Sequence, residues 1–230
     1  MKIITPLIKI LHLKSYLKYI NFIYKADLLI QKKEFNEAIR LCEQVEVYLP
    51  KLENVYGKEA LYELYYIKGC AFMYLSDYDS GICYLTKSLL YKESNKQALD
   101  YLGLMYLDKD RFKSRNYFLD SLKINDKDYR TYFNLGLLES TEKNYDEAII
   151  NLKKSINLNK EHMASYYKLG TVYFMQNDLV NAQKYISKLV DKYGFQFYKN
   201  IQQKDFLENK NLLGSKKSEF IRWIKYEFFK

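Results

Sequence analysis

Residues 132–158 read YFNLGLLESTEKNYDEAIINLKKSINL, and three other stretches rhyme with them: YYIKGCAFMYLSDYDSGICYLTKSLLY (65–91), LDYLGLMYLDKDRFKSRNYFLDSLKI (99–124) and YYKLGTVYFMQNDLVNAQKYISKL (166–189). Their glycines, Gly69, Gly103, Gly136 and Gly170, are spaced by 34, 33 and 34 residues. An earlier stretch, FIYKADLLIQKKEFNEAIRLCEQVEVYLP (22–50), carries Ala26 at the glycine position. A fixed period of this size is the mark of stacked supersecondary units and decides the fold before any single residue does.

Each unit reads as two amphipathic helices around a short polar turn such as Glu142-Lys143-Asn144. Tyr132, Leu135 and Glu139 fall at i, i+3 and i+7, and Ala148, Leu152 and Ser155 repeat that spacing, the period of one helix face. The turn ends in Phe35, Tyr78, Phe112, Tyr145 or Leu179, followed by a small residue, Ala38, Gly81, Ser114, Ala148 or Ala182. Small residues on both helices of a pair predict close backbone approach, with the large aromatics filling the spaces beside the contact.

The pattern resembles the tetratricopeptide repeat family, most closely in residues 129–162, where Tyr132, Leu135, Gly136, Tyr145, Ala148 and Leu158 stand at family positions. Glu139 replaces an aromatic and Lys160 a common Pro. Five repeats parse as 19–52, 62–95, 96–128, 129–162 and 163–196, with residues 53–61 inserted after the first. The resemblance implies an all-α, right-handed solenoid of helix-turn-helix repeats with capping helices at its ends. Lys25 and Lys68 take the place of the usual Leu, which predicts looser interfaces there. Glu139 invites a neighbouring Lys as partner. Pro50 should end or kink the helix before it, Gly57 marks a turn before a lengthened first helix of repeat two, and the residue missing from repeat three falls in the Asp108–Arg111 turn.

The ends differ from the body. Thr5-Pro6 is a helix start, and Leu7, Ile10, Leu11, Leu17 and Ile20 give the helix that follows an apolar side. This segment is either continuous with the first repeat or a packed half-repeat. After Gly214-Ser215, Phe220, Trp223, Ile224 and Phe228 form an apolar stripe, with Lys216, Lys217, Arg222 and Lys225 mostly elsewhere. A solenoid needs such a terminal helix to cover its last repeat.

The net charge of +9 sits at these ends. Residues 1–18 hold Lys2, Lys9, Lys14 and Lys18 without an acid, and residues 197–230 hold eight basic against four acidic residues. With 32 Lys and only 5 Arg, the residue suited to planar phosphate recognition is scarce, and no DNA partner is expected. Few glycines and prolines (8 and 2) argue against an all-β fold. No run of 18 uncharged apolar residues offers a membrane span. The three cysteines, Cys42, Cys70 and Cys83, make no CxxC pair, and a reducing cytoplasm is the expected compartment.

No constellation for catalysis, cofactor or metal is legible. His12 and His162 are the only histidines and lie far apart, and no phosphate loop, dinucleotide fingerprint or HExxH motif occurs. The expectation is a protein that is not an enzyme. Cys42 should be buried and inert, while Cys70 is a candidate to line the groove that the family forms from its first helices. By the family's register that groove takes Tyr66, Met73 and Tyr74, then Leu104 and Leu107, then Arg130, Phe133 and Leu137, then Tyr167, Phe174 and Met175. Such an apolar, aromatic surface suits a hydrophobic or amphipathic segment of a protein partner, and a charge at Phe133 or Tyr167 should abolish binding without unfolding. Only Asn134 and Lys168 resemble the carboxylate clamp some family members use for chaperone tails, so no such clamp is expected. Three readings of the groove stand open: it binds a partner, the C-terminal helix fills it, or its aromatics merely pack. A different function, binding an anionic membrane surface or RNA through the basic ends, is the alternative.

Overall fold

The computed structural model describes residues 4–46, 49–202 and 216–229, and all regular structure among them is helical. Two compact units divide the chain between Ile124 and Asn125. The first holds α1 (Ile4–Gln31), α2 (Phe35–Glu46), α3 (Leu49–Tyr74), α4 (Tyr78–Tyr91), α5 (Lys96–Tyr106) and α6 (Arg111–Ile124). The second holds α7 (Tyr129–Thr141), α8 (Tyr145–Leu158), α9 (Met163–Met175), α10 (Leu179–Tyr193), α11 (Phe195–Gln202) and α12 (Lys217–Phe228). Successive helices pair, α3 on α4, α5 on α6, α7 on α8 and α9 on α10, and each pair stacks on the next within its unit. This is the all-α solenoid architecture that the repeats imply.

The glycines act through steric space. A Cβ on Gly69 would lie 2.6 Å from the Leu85 side chain, on Gly103 2.5 Å from Phe118, on Gly136 2.6 Å from Leu152, and on Gly170 2.7 Å from Ile186. Each first helix therefore offers a notch, and the second helix fills it with a large residue four positions beyond its own small one. Leu85, Phe118, Leu152 and Ile186 are all fully buried. In the third pair the Ser114 hydroxyl also donates to the Gly103 carbonyl at 2.7 Å.

Four of the five turns close identically. Lys33, Ser76, Lys143 and Asn177 adopt φ of 63°, 62°, 64° and 63°. The following amides, of Glu34, Asp77, Asn144 and Asp178, donate to Leu29, Phe72, Glu139 and Tyr173 five residues back, the Schellman closure. Asp77 and Asp178 then cap the next helix by accepting from the amides of Ser80 and Asn181. The third turn departs: α5 ends early at Tyr106, and four residues, 107–110, lead to α6. The shortage expected in the turn is thus taken from the helix end, and the turn itself is longer.

Two further expectations are corrected, and one open alternative is decided. α3 runs unbroken from Leu49 to Tyr74, so Gly57 marks no turn, and Pro50 sits in its first turn, where a missing N–H costs nothing. The N-terminal segment is one helix with the first repeat, α1, in which Tyr19, Ala26 and Leu29 face the core while Leu17 is 58% and Ile20 39% exposed. The remaining positions of its apolar side lie outside the described side chains, as do Gly214 and Ser215. Lys68 does not loosen its interface: its ammonium is buried, 2.6 Å from Glu46 Oε2 and 3.0 Å from the Tyr84 hydroxyl. Lys25 is exposed and takes no part in the core.

A groove face in two units

In the first unit, the groove positions of α3 and α5 form an aromatic surface held from below by the cores of the pairs. Tyr62 stacks on Tyr66 (5.9 Å between centroids), and Tyr66 on Tyr101 of α5 (6.4 Å). The Asn95 side chain, which caps α5, donates to the Tyr62 hydroxyl at 2.5 Å and ties the ladder to the next pair. Burial raises the Tyr66 phenol well above its ordinary range, so it stays neutral. Tyr66, Met73 and Leu107 are half-buried, whereas Tyr74 is 49% and Leu104 38% exposed. Tyr74 stacks on Phe35 at 5.0 Å and 10°. Phe35 in turn helps line a cavity of about 430 Å³ at the α1–α2 turn, which Leu75 also lines.

The second unit is different. Arg130 is exposed over Tyr129, and Phe133 is half-buried with its ring edge-on to His162 at 5.0 Å. Leu137, Tyr167 and Phe174 are 5%, 7% and 5% exposed, and Met175 is half-buried. Two C-terminal helices cover α9. Phe197 of α11 meets Tyr167 at 6.2 Å. Phe220 of α12 touches both Tyr167 (6.2 Å) and Phe174 (4.9 Å), and Trp223 reaches Phe174 at 5.3 Å. Phe220 and Ile224 are fully buried there. α12 thus packs on the α9 residues that the sequence reading assigned to the groove. A charge at Tyr167 would therefore break packing, which disqualifies it as a test of binding.

The remaining candidates resolve simply. Burial pushes the thiols of Cys42 and Cys70 up to about 12, so both are inert, and Cys70 lies in the core instead of lining the face. Cys83 is exposed. Glu139 accepts from the side chain of Asn144, at the turn, at 3.0 Å. Lys168 is 6% exposed, and burial lowers its ammonium to about 8. His162 bonds through Nδ1 with the Ser165 hydroxyl at 2.7 Å, and burial lowers its pKa. Among the described residues no cluster of three His, Cys, Asp or Glu side chains could hold a metal ion, and no helix is long and apolar enough to cross a membrane.

Residues 129–162 match the family model of the tetratricopeptide repeat. No curated protein matches the chain. Among solved structures, it is similar to a crystal structure of MamA at 22% identity, with 73% of this chain and 93% of that chain covered and a TM-score of 0.61. MamA from Desulfovibrio magneticus RS-1, residues 41 to the end, gives 19% identity over 76% and 94% of the two chains, with a TM-score of 0.63. YrrB, described as a tetratricopeptide repeat protein with an unusual peptide-binding site, gives 18% identity over 78% and 91%, with a TM-score of 0.60. At these identities the likeness establishes the fold.

Proposed function

We propose that this tetratricopeptide-type solenoid is a non-catalytic scaffold that binds a peptide or helix of a protein partner through the groove face of its first unit. The observation that carries this is the Tyr62–Tyr66–Tyr101 ladder flanked by exposed Tyr74 and Leu104. Large, rigid, half-buried aromatics beside exposed apolar side chains are the composition of binding hot spots. Three free cysteines suit the reducing cytoplasm.

The test uses positions whose exposure protects the fold. Wild type and a Tyr74→Asp/Leu104→Asp variant, matched in helical circular dichroism, are used to capture partners from the native cell extract. Enrichment of one protein by wild type and its loss with the variant is the expected result. Equal recovery by both would refute the reading.

A second reading rests on α12, whose Lys216, Arg222 and Lys225 are exposed. These basic residues would hold the protein at an anionic membrane surface or on RNA, at roughly 1 kcal/mol per charge near a membrane. Binding to anionic vesicles or RNA that is steeply lost with added salt would favour it.

A further inference from the structure

We propose that His162 is a proton-operated latch within the second unit: uncharged, it ties the start of α9 to α8 and α7, and a proton taken up at Nε2 loosens that joint. The proposal is independent of any partner and of the groove face.

Three side chains and one carbonyl form a chain across the three helices. His162 Nδ1 lies 2.7 Å from the Ser165 hydroxyl, and Ser165 lies 2.8 Å from the Ser155 hydroxyl of α8. Ser155 in turn donates to the Tyr129 carbonyl of α7 at 2.8 Å. Both serines are fully buried. A hydroxyl has one proton to donate, and that fixes the direction of the chain. The Ser155 proton goes to Tyr129, so Ser165 donates to Ser155 and accepts from His162. Neutral His162 therefore carries its hydrogen on Nδ1 and a bare lone pair on Nε2. The other tautomer would make one bond fewer and leave its Nε2–H without an acceptor among the described residues.

The site suits the neutral ring and opposes its cation. The ring centroid lies 4.8 Å from that of Tyr129 and 5.0 Å from that of Phe133. His162 is also the N-cap of α9, the helix end that repels positive charge. None of the charged groups around it is a counter-ion to the ring. On the α7 side, Asp128 accepts from the Arg130 amide at 2.9 Å and from its Nε at 3.4 Å. In the α8–α9 turn, Lys160 is exposed and Glu161 accepts from Lys192 of α10 at 3.2 Å. On α8, Lys153 and Lys154 lie over the rings of Tyr173 and Tyr132, and on α9 the buried Lys168 is itself a cation. Burial alone lowers the His162 pKa. A proton at Nε2 thus adds an unaccepted donor and an uncompensated charge at the point that ties α9 to its neighbours.

With the folded value depressed, the opened joint takes the proton first. The joint therefore holds fully above the ordinary value of 6.5 and loosens as pH falls below it. The experiment uses the full chain with His12→Gln, which leaves His162 as its one histidine. Hydrogen exchange is read as protection relative to the unstructured chain at each pH, which removes the chemical effect of acid. From about pH 7.5 to about pH 5, the amides of residues 165–169 should lose protection by about threefold or more, while those of α5 in the first unit keep theirs. Adding His162→Gln should abolish the loss. Unchanged protection of residues 165–169, or the same loss without His162, would overturn the proposal.

Should the added substitution disturb the fold, nitrogen-15 NMR of the single-histidine protein at neutral pH decides instead. The ring hydrogen should sit on Nδ1. A hydrogen on Nε2 would break the chain of donors and end the argument for a latch.

Discussion

Replacing Glu46 with Gln should destabilise the protein far more than replacing its partner Lys68 with Met. Lys68 has 2% of its side chain exposed and Glu46 32%, and their charged atoms lie 2.6 Å apart. Burial opposes the Lys68 charge, but the hydrogen bonds to Glu46 and Tyr84 outweigh it, and the pKa is held above its ordinary value. Without the carboxylate's charge, the buried ammonium faces only neutral groups: the Gln amide oxygen, the Tyr84 hydroxyl at 3.0 Å and the Tyr84 ring at 4.3 Å. Breaking a fully buried pair costs about 3–5 kcal/mol. With Glu46 a third exposed, about 2–3 kcal/mol is the appropriate figure for Glu46→Gln.

Lys68→Met leaves a carboxylate that water can reach and puts an apolar chain where the repeat usually has Leu. Its expected effect lies within about 1 kcal/mol of zero in either direction. In the Lys68→Met background, Glu46→Gln should cost less than about 0.5 kcal/mol, a coupling near 2 kcal/mol. Urea melts of the four proteins by circular dichroism measure this, provided the slopes agree. Equal costs for the two single variants, or additive ones in the double, would refute the reasoning.

Lys168→Met should stabilise the protein by about 3 kcal/mol at neutral pH, since 1.36 kcal/mol accompanies each unit of a fall from 10.5 to about 8. With the folded-state value depressed, the unfolded chain holds the extra proton between the two, so the wild-type deficit is full below pH 8 and vanishes as pH rises toward 10.5. Melts of both proteins across that range check the sign. Gly103→Ala, whose Cβ would meet the buried Phe118 ring at 2.5 Å, should cost about 1–2 kcal/mol despite the better helix propensity of Ala. Lys143→Gly should stabilise by roughly 1 kcal/mol, by relieving a left-handed residue at φ 64°. A thiol reagent should label Cys83 in the native protein and leave Cys42 and Cys70 untouched until denaturant is added.

The helix pairs were legible because their signals are local and repeated: a glycine every 33 or 34 residues and a polar turn about seven residues later. The left-handed turn residues were not, because Lys33, Ser76, Lys143 and Asn177 carry none of the glycine signal that usually marks the conformation. Gly57 misled for the converse reason: a helix built from both sides tolerates one glycine at about 1 kcal/mol. Lys68 looked like a defect because its partner is 22 residues away. The covering of Tyr167 and Phe174, by contrast, depends on where a helix some 50 residues later docks. No periodicity within either segment encodes that.

The third turn, residues 107–110, has a use in protein engineering. The other four turns are closed by a left-handed residue and a fixed pair of hydrogen bonds, so an added residue there would shift the register of the helix that follows. Here α5 has already stopped at Tyr106, and Asp108 and Lys109 are both exposed. A reporter or epitope inserted between those two lengthens a connection that no Schellman closure measures out, at an entropic cost that grows only slowly with insert size.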